Sequence, residues 1–236
     1  MGREFEGVDE VVVPATPEQV WDAIATGPGI DSWFMGRNEV EAGTAVRMAF
    51  GDYTPEHPIT AWEPGERLAY GSAPAPDGRF IAYEFLIEGR DRSSTVLRLA
   101  TSGFLPGDDW ADEYEAMTLG GQLFFRTLVE YLTHFAGRTA TPVTVFGPMI
   151  TDWPSTRARL MAAIGLSGPG AVRAPVVGEL YFANADTIGI RTNDALYRFM
   201  RGFRGPVIAS HHIFGPVDVA HEEQTWADWL EHTLED

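Results

Sequence analysis

The sequence predicts an α+β protein in which a curved antiparallel sheet wraps a long helix and a second, smaller α+β domain follows. Three observations predict it. Short strands with period-two alternation, separated by turn residues, fill residues 44–101. Residues 113–135, EYEAMTLGGQLFFRTLVEYLTHF, read as one amphipathic helix, with Met117, Gly121, Phe124, Leu128, Leu132 and Phe135 at three- and four-residue steps. Beyond residue 142 the order strand, helix, strands, helix recurs in shorter form.

The elements follow in order. Val8 to Val13 is a β-branched strand, and Thr16-Pro17-Glu18-Gln19 supplies an N-cap, a proline at the first helical position and a reciprocal Gln partner. Gly27-Pro28-Gly29 ends that helix, and a second helical turn is expected over Ile30 to Phe34. Strands are then expected at 44–50, 59–62, 67–71, 80–87 and 95–101. Within them Ile81, Tyr83, Phe85 and Ile87 share one face against Ala82 and Glu84, and Val46, Met48 and Phe50 share another. A sheet with one apolar face needs a cover, and the 113–135 helix has the matching length. Gly137 is placed to stop it. The domain boundary is expected in the polar turn that follows, giving domains 1–137 and 142–236.

This order of elements resembles the START/Bet v 1-like (SRPBCC) superfamily, and within it the branch similar to the activator of Hsp90 ATPase. The residues that carry the resemblance are VVVPATPEQVWDAI, the GIDSWF step, the turn from Trp62 to Leu68 and the closing helix, together roughly the first three-fifths of the chain. The resemblance implies a helix-grip fold with a hydrophobic cavity between sheet and long helix. Such cavities bind apolar or aromatic small molecules, and some members catalyse cyclisation or dehydration.

Composition narrows the chemistry. The chain has 236 residues, no cysteine and a net charge of -17, and all 17 of its basic residues are arginine. Thiolate nucleophiles, Schiff-base lysines, a Walker lysine and cysteine-rich zinc sites are excluded together. So acidic a chain is not expected to bind nucleic acid or an anionic membrane. The first 137 residues carry 9 arginines against 23 acidic residues, so the acidity is concentrated there. The N-terminal MGREFEGVDE lacks the features of an export signal, and a cytoplasmic location is expected.

The candidate ligand-binding residues are Trp33, Phe34, Met48, Tyr70, Tyr83, Phe85, Gly121, Phe124 and Leu128. Gly120-Gly121 inside a helix costs about 0.5 to 1 kcal/mol per glycine relative to alanine and asks for a reason. Room for a ligand is one, and close approach of another element is the other. Aromatics at core spacing also simply pack. Tyr70 and Tyr83 can direct hydroxyls inward, whereas Glu84, Arg47 and Arg98 fall on the outward face. No catalytic residue is assigned. The acidic run from Asp108 through Asp109 to Glu113 suits the N-terminus of the long helix electrostatically and needs no metal.

In the second segment, strands are expected at 143–146, 176–182, 187–191, 196–201 and 207–214. Helices are expected from Asp152 to Ile164 and over 222–234, the latter carrying Trp226, Trp229 and Leu230. A truncated copy of the first domain is the preferred reading. His211 and His212 are adjacent on a strand and face opposite sides, so with His221 they make a poor metal site, and no metal or cofactor is expected. Arg198, Arg201 and Arg204 read as a small basic cluster that docks the acidic first domain or a partner subunit rather than binding phosphate. A bare sheet edge on the shorter domain makes a homodimer an expected possibility.

Three functions remain open. The favoured one is binding of an apolar or aromatic small molecule in the cavity. A cyclase- or dehydratase-type enzyme would need polar groups converging in that cavity, and a co-chaperone-like interaction module would need an exposed apolar patch.

Overall fold

The structure, a computed structural model, describes residues 2–91, 94–108, 110–164, 178–202 and 205–234. Asp109, Val176, Val177 and Arg204, which enter the expectations above, lie outside the described residues. Strand β1 (Arg3–Val13) leads to helix α1 (Pro17–Ala25). Its capping box forms as the sequence implies: the Gln19 N–H donates to Thr16 Oγ1 at 3.3 Å and the Thr16 N–H donates to Gln19 Oε1 at 3.0 Å.

The second helix begins earlier than expected. Gly27–Ile30 itself forms α2, opened by Thr26, whose hydroxyl accepts from the Gly29 N–H at 3.0 Å. Helix α1 ends just before this segment, as expected, and the two glycines admit neighbouring backbone. A Cβ on Gly29 would lie 1.9 Å from the Asp22 carbonyl oxygen, and one on Gly27 would lie 2.4 Å from that of Asn38. Trp33 and Phe34 follow on a turn whose N–H groups both reach back to the Ile30 carbonyl, at 3.1 and 2.9 Å.

The meander then runs β2 (Arg37–Glu41), β3 (Ala45–Ala49), β4 (Glu56–Glu63), β5 (Arg67–Gly71), β6 (Phe80–Asp91) and β7 (Ser94–Leu105). Every pairing is antiparallel, in the order β1-β7-β6-β5-β4-β3-β2. Strand β2, RNEVE, was not expected; it is short and mostly polar, so neither length nor apolar period announces it. The inward face carries Val46, Met48, Leu68, Tyr70, Phe85 and Ile87, all buried. On the other side Arg67 pairs with Glu84 at 2.6 Å, and Arg47 with Glu41 and Glu56 at 3.0 and 2.6 Å. Helix α3 (Trp110–His134) closes the meander, and Gly137 with φ 79° follows it.

By backbone contacts the chain divides into two units. Residues 1–117 and 128–139 form the first; residues 118–127, from the middle of α3, group with 140–236 in the second. The second unit runs β8 (Thr141–Met149), α4 (Trp153–Ala163), β9 (Glu179–Ala183), β10 (Thr187–Arg191), β11 (Ala195–Arg201), β12 (Pro206–Ile213) and α5 (Val219–Leu234). Its sheet order is β8-β12-β11-β10-β9. In both units the first strand pairs with the last, the remaining strands descend in order, a helix follows the first strand and another closes. The second unit thus has the first unit's topology with two fewer strands.

The second sheet is covered on both faces. Strand β12 is buried from Val207 to His212 without alternation, and Trp226 and Leu230 of α5 share one core cluster with Val207, Ala209 and Phe199. Helix α4 is capped by Asp152, whose Oδ1 accepts from the Ser155 N–H at 3.1 Å, and it buries Leu160 in the same core. No helix among the described residues is long and apolar enough to cross a membrane.

Candidate functional site

Three neighbouring strands of the first unit place three hydrogen-bonding side chains side by side. Register sets Val46 of β3 opposite His57 of β4, Ile59 opposite Tyr70 of β5, and Tyr70 opposite Tyr83 of β6. The Tyr70 and Tyr83 rings are 5.5 Å apart between centroids, and the His57 ring lies 6.1 Å from the first and 6.5 Å from the second. Apolar rings continue from this group. Phe85 stacks on Tyr70 at 6.2 Å, Trp33 meets Phe85 edge-on at 6.5 Å, and Phe34 tilts against Trp33 at 5.2 Å. Trp33 is fixed by its indole N–H, which donates to the Ala23 carbonyl at 2.9 Å.

The polar ends of this cluster are not used by the protein. His57 is 7% exposed and its Nδ1 is buried with no hydrogen-bond partner, in a fold where buried polar atoms are nearly always paired. The Tyr70 and Tyr83 hydroxyls likewise have no hydrogen-bond partner among the described residues. Burial holds the His57 imidazole below its usual range, so it is neutral at pH 7. Burial, and then each one's tyrosine neighbour (Tyr83 for Tyr70, Tyr53 for Tyr83), raises both phenols well above their ordinary range. They remain protonated donors throughout the physiological span. Two phenolic donors and a neutral imidazole at the edge of an aromatic wall can orient an oxygen-bearing ligand, and the imidazole can exchange a proton with it.

Six of the nine residues expected from the sequence lie in or beside this group. Trp33, Phe34, Tyr70, Tyr83 and Phe85 are in the ring cluster, and Met48 is buried two residues beyond Val46 on β3. Leu128 is fully buried in the first unit. Gly121 and Phe124 fall in the stretch 118–127, which groups with the second unit. Nothing lies within 4 Å of a Cβ built on Gly120 or Gly121, so close approach of another element is not what requires them. Sequence reasoning missed His57, although it stands two residues before Ile59 in the period of β4; Pro58 between them disguised the strand.

In the second unit the basic cluster is not as expected. Arg198 is fully buried rather than on the surface: its Nε and Nη2 donate to the carbonyl and hydroxyl of Ser210 at 3.0 and 2.8 Å, and its guanidinium lies 5.3 Å from the Phe124 ring. Burial lowers its pKa to about 10. Arg201 is exposed, 3.9 Å from Asp186. His211 sits among Tyr197, Phe199 and Trp226, with the Trp226 ring 4.4 Å away, and its Nδ1 accepts from the Arg198 N–H at 3.2 Å. Burial, and then Arg198, pull its pKa down to about 3. Among the described residues no three His, Cys, Asp or Glu side chains converge as a metal site would require.

The sheet order of the first unit and its long closing helix are those of the helix-grip arrangement. The first unit thus has the helix-grip topology that the sequence resemblance implies. No protein-family model matches the chain, and no curated protein does. Among solved structures, protein MLL2253 from Mesorhizobium loti is 23% identical, over 54% of this chain and 96% of its own, with a TM-score of 0.46. The Aha1 dimer from Colwellia psychrerythraea is 18% identical, over 54% and 96%, at 0.43. The di-domain ARO/CYC BexL from the BE-7585A biosynthetic pathway is 13% identical, over 98% and 99%, at 0.49.

Proposed function

We propose that the first unit binds an apolar or aromatic small molecule, with Trp33, Phe34, Met48, Phe85 and Leu128 supplying the apolar surface and Tyr70, Tyr83 and His57 the polar end. One observation carries the reading: the buried His57 Nδ1 has no hydrogen-bond partner, and two phenol rings lie beside it. Leaving the buried Nδ1 unmet costs roughly 1–3 kcal/mol, which a bound molecule can recover.

The test is calorimetric titration and thermal unfolding with 2-naphthol, on wild type and on Tyr83→Trp, which adds volume at the cluster. Ligand at a hundred times its dissociation constant stabilises by about 2.7 kcal/mol, a shift that Tyr83→Trp is expected to remove. A wild type that 2-naphthol neither binds nor stabilises counts against the proposal, as does an undiminished shift in the variant.

His57 favours one second reading, an enzyme of the cyclase or dehydratase type using the same residues. A neutral imidazole beside two phenolic donors is a base next to groups that can stabilise a developing oxyanion. Exchange of the methyl protons of 2-acetylnaphthalene into heavy water, accelerated by wild type and not by His57→Phe, would support it. Equal rates in the two proteins would discard it.

A further inference from the structure

We infer that the ligand of the His57–Tyr70–Tyr83 group is a neutral planar molecule bearing a hydroxyl or carbonyl oxygen, and that carboxylates and phosphates of the same shape are refused. The inference rests on the binding proposal above and adds the chemistry of the molecule. Geometry supplies the first half. Tyr70 and Tyr83 are opposite one another in the register of β5 and β6, and His57 lies on β4 next to them, so all three polar groups gather on one face. On the same face Phe85 and Trp33 offer only ring surface and carbon, since the Trp33 N–H is already given to Ala23. A molecule matching this surface is flat and apolar along its body, with its oxygen at the tyrosine end. A hydrocarbon would leave the buried His57 Nδ1 as unmet as before and offer the two phenol hydroxyls no acceptor.

Electrostatics supplies the second half. The influences on Tyr70, Tyr83 and His57 are burial and the neighbouring tyrosines, with no charged side chain among them. The charges nearest in the strands are spent on one another across the outer face. Arg67 is paired with Glu84, the residue between Tyr83 and Phe85, and Arg47 with Glu41 and Glu56. An anion entering the group would give up its hydration and meet no cation among the influences the described residues exert there, and burying an unpaired charge is far more costly than burying a neutral oxygen. The chain's net charge of -17 adds long-range repulsion of the same sign. Hydrogen bonds from two phenols cannot offset both.

The experiment measures the affinities of naphthalene, 2-naphthol, 2-acetylnaphthalene and 2-naphthoate at neutral pH by titration calorimetry. The proteins are wild type and the Tyr70→Phe/Tyr83→Phe double variant, which keeps the rings and removes only the hydroxyls. In wild type 2-naphthol and 2-acetylnaphthalene are expected to bind about tenfold more tightly than naphthalene, and 2-naphthoate more weakly than either. In the double variant that advantage disappears while naphthalene binding persists. Equal binding of naphthalene and 2-naphthol in wild type overturns the inference, as does 2-naphthoate as the tightest ligand or an oxygen preference that survives loss of both hydroxyls. In each of these cases the binding proposal itself stands, because a compound has bound. Absence of binding by all four compounds rejects the binding proposal and this inference with it.

Discussion

Tyr181 lies across Gly189 so closely that a Cβ at Gly189 would fall 2.5 Å from Cζ of the tyrosine ring. The same tyrosine shares a hydrogen bond of 2.8 Å with the Thr127 hydroxyl, tying β9 to the stretch of α3 that groups with the second unit. Gly189 pairs with Arg198 in the β10–β11 register, so the missing side chain keeps space on the face where Arg198 is buried.

Gly189→Ala is therefore expected to push the ring aside and loosen the Thr127 bond, at a cost of roughly 1–3 kcal/mol. Urea unfolding measures it. Added to Tyr181→Ala, the same substitution should cost little more, and a full additive loss would show that the two residues do not act through this contact.

Gly29→Ala should be worse. Its Cβ would meet the Asp22 carbonyl oxygen at 1.9 Å, backbone against backbone, so α1 and α2 must separate. A strongly lowered melting temperature or insoluble expression is expected, and a melting temperature within two or so degrees of wild type would contradict the packing described.

Trp33 can be dissected in two steps. Trp33→Phe removes the N–H donated to Ala23 and is expected to cost about 1 kcal/mol. Trp33→Ala also removes the buried ring and is expected to cost roughly 3–5 kcal/mol. Similar losses from both substitutions would mean that the ring contributes little by packing.

Acid should weaken the second unit through His211. Its pKa in the folded chain, about 3, is below the value near 6.5 of an unfolded chain, so between those limits the unfolded state binds the extra proton. Stability is full above pH 6.5 and falls as pH drops through the window, by up to about 1.4 kcal/mol per pH unit from this group. His57, shifted in the same direction, adds to the first unit's loss. The difference in urea midpoint between pH 7.5 and pH 5 should shrink in His211→Asn, and an unchanged difference would assign the acid sensitivity elsewhere.

Much of the fold was legible because turn residues and alternation agree. Strands 67–71 and 187–191 have the limits expected from the sequence, and the Thr16–Gln19 box opens α1 as its spacing implies. What escaped did so for physical reasons. Strand β2 is too short and polar to carry a period, and Gly27-Pro28-Gly29 reads only as a helix breaker although, capped by Thr26, it also opens the next helix. Arg198 was read with Arg201 and Arg204 as a basic cluster, because spacing alone does not show that β11 and β12 are buried along nearly their whole length. Five of the ring residues were legible as core-facing aromatics, whereas the unmet polarity of His57 exists only once β4, β5 and β6 lie side by side.

The pairing of β1 with β7, from Arg3 opposite Leu105 to Val13 opposite Thr95, has a consequence for the order in which the chain can acquire its shape. Strand β1 has its one partner among the described strands some eighty to a hundred residues downstream, and must wait for nearly the whole meander to be synthesised before it can dock. The same delay is repeated on a smaller scale by β8 and β12. Until then β1, with Val8 and Val12 on its open face and four acidic residues along it, stays a charged, unpaired ribbon whose repulsion for its own copies guards it against premature association.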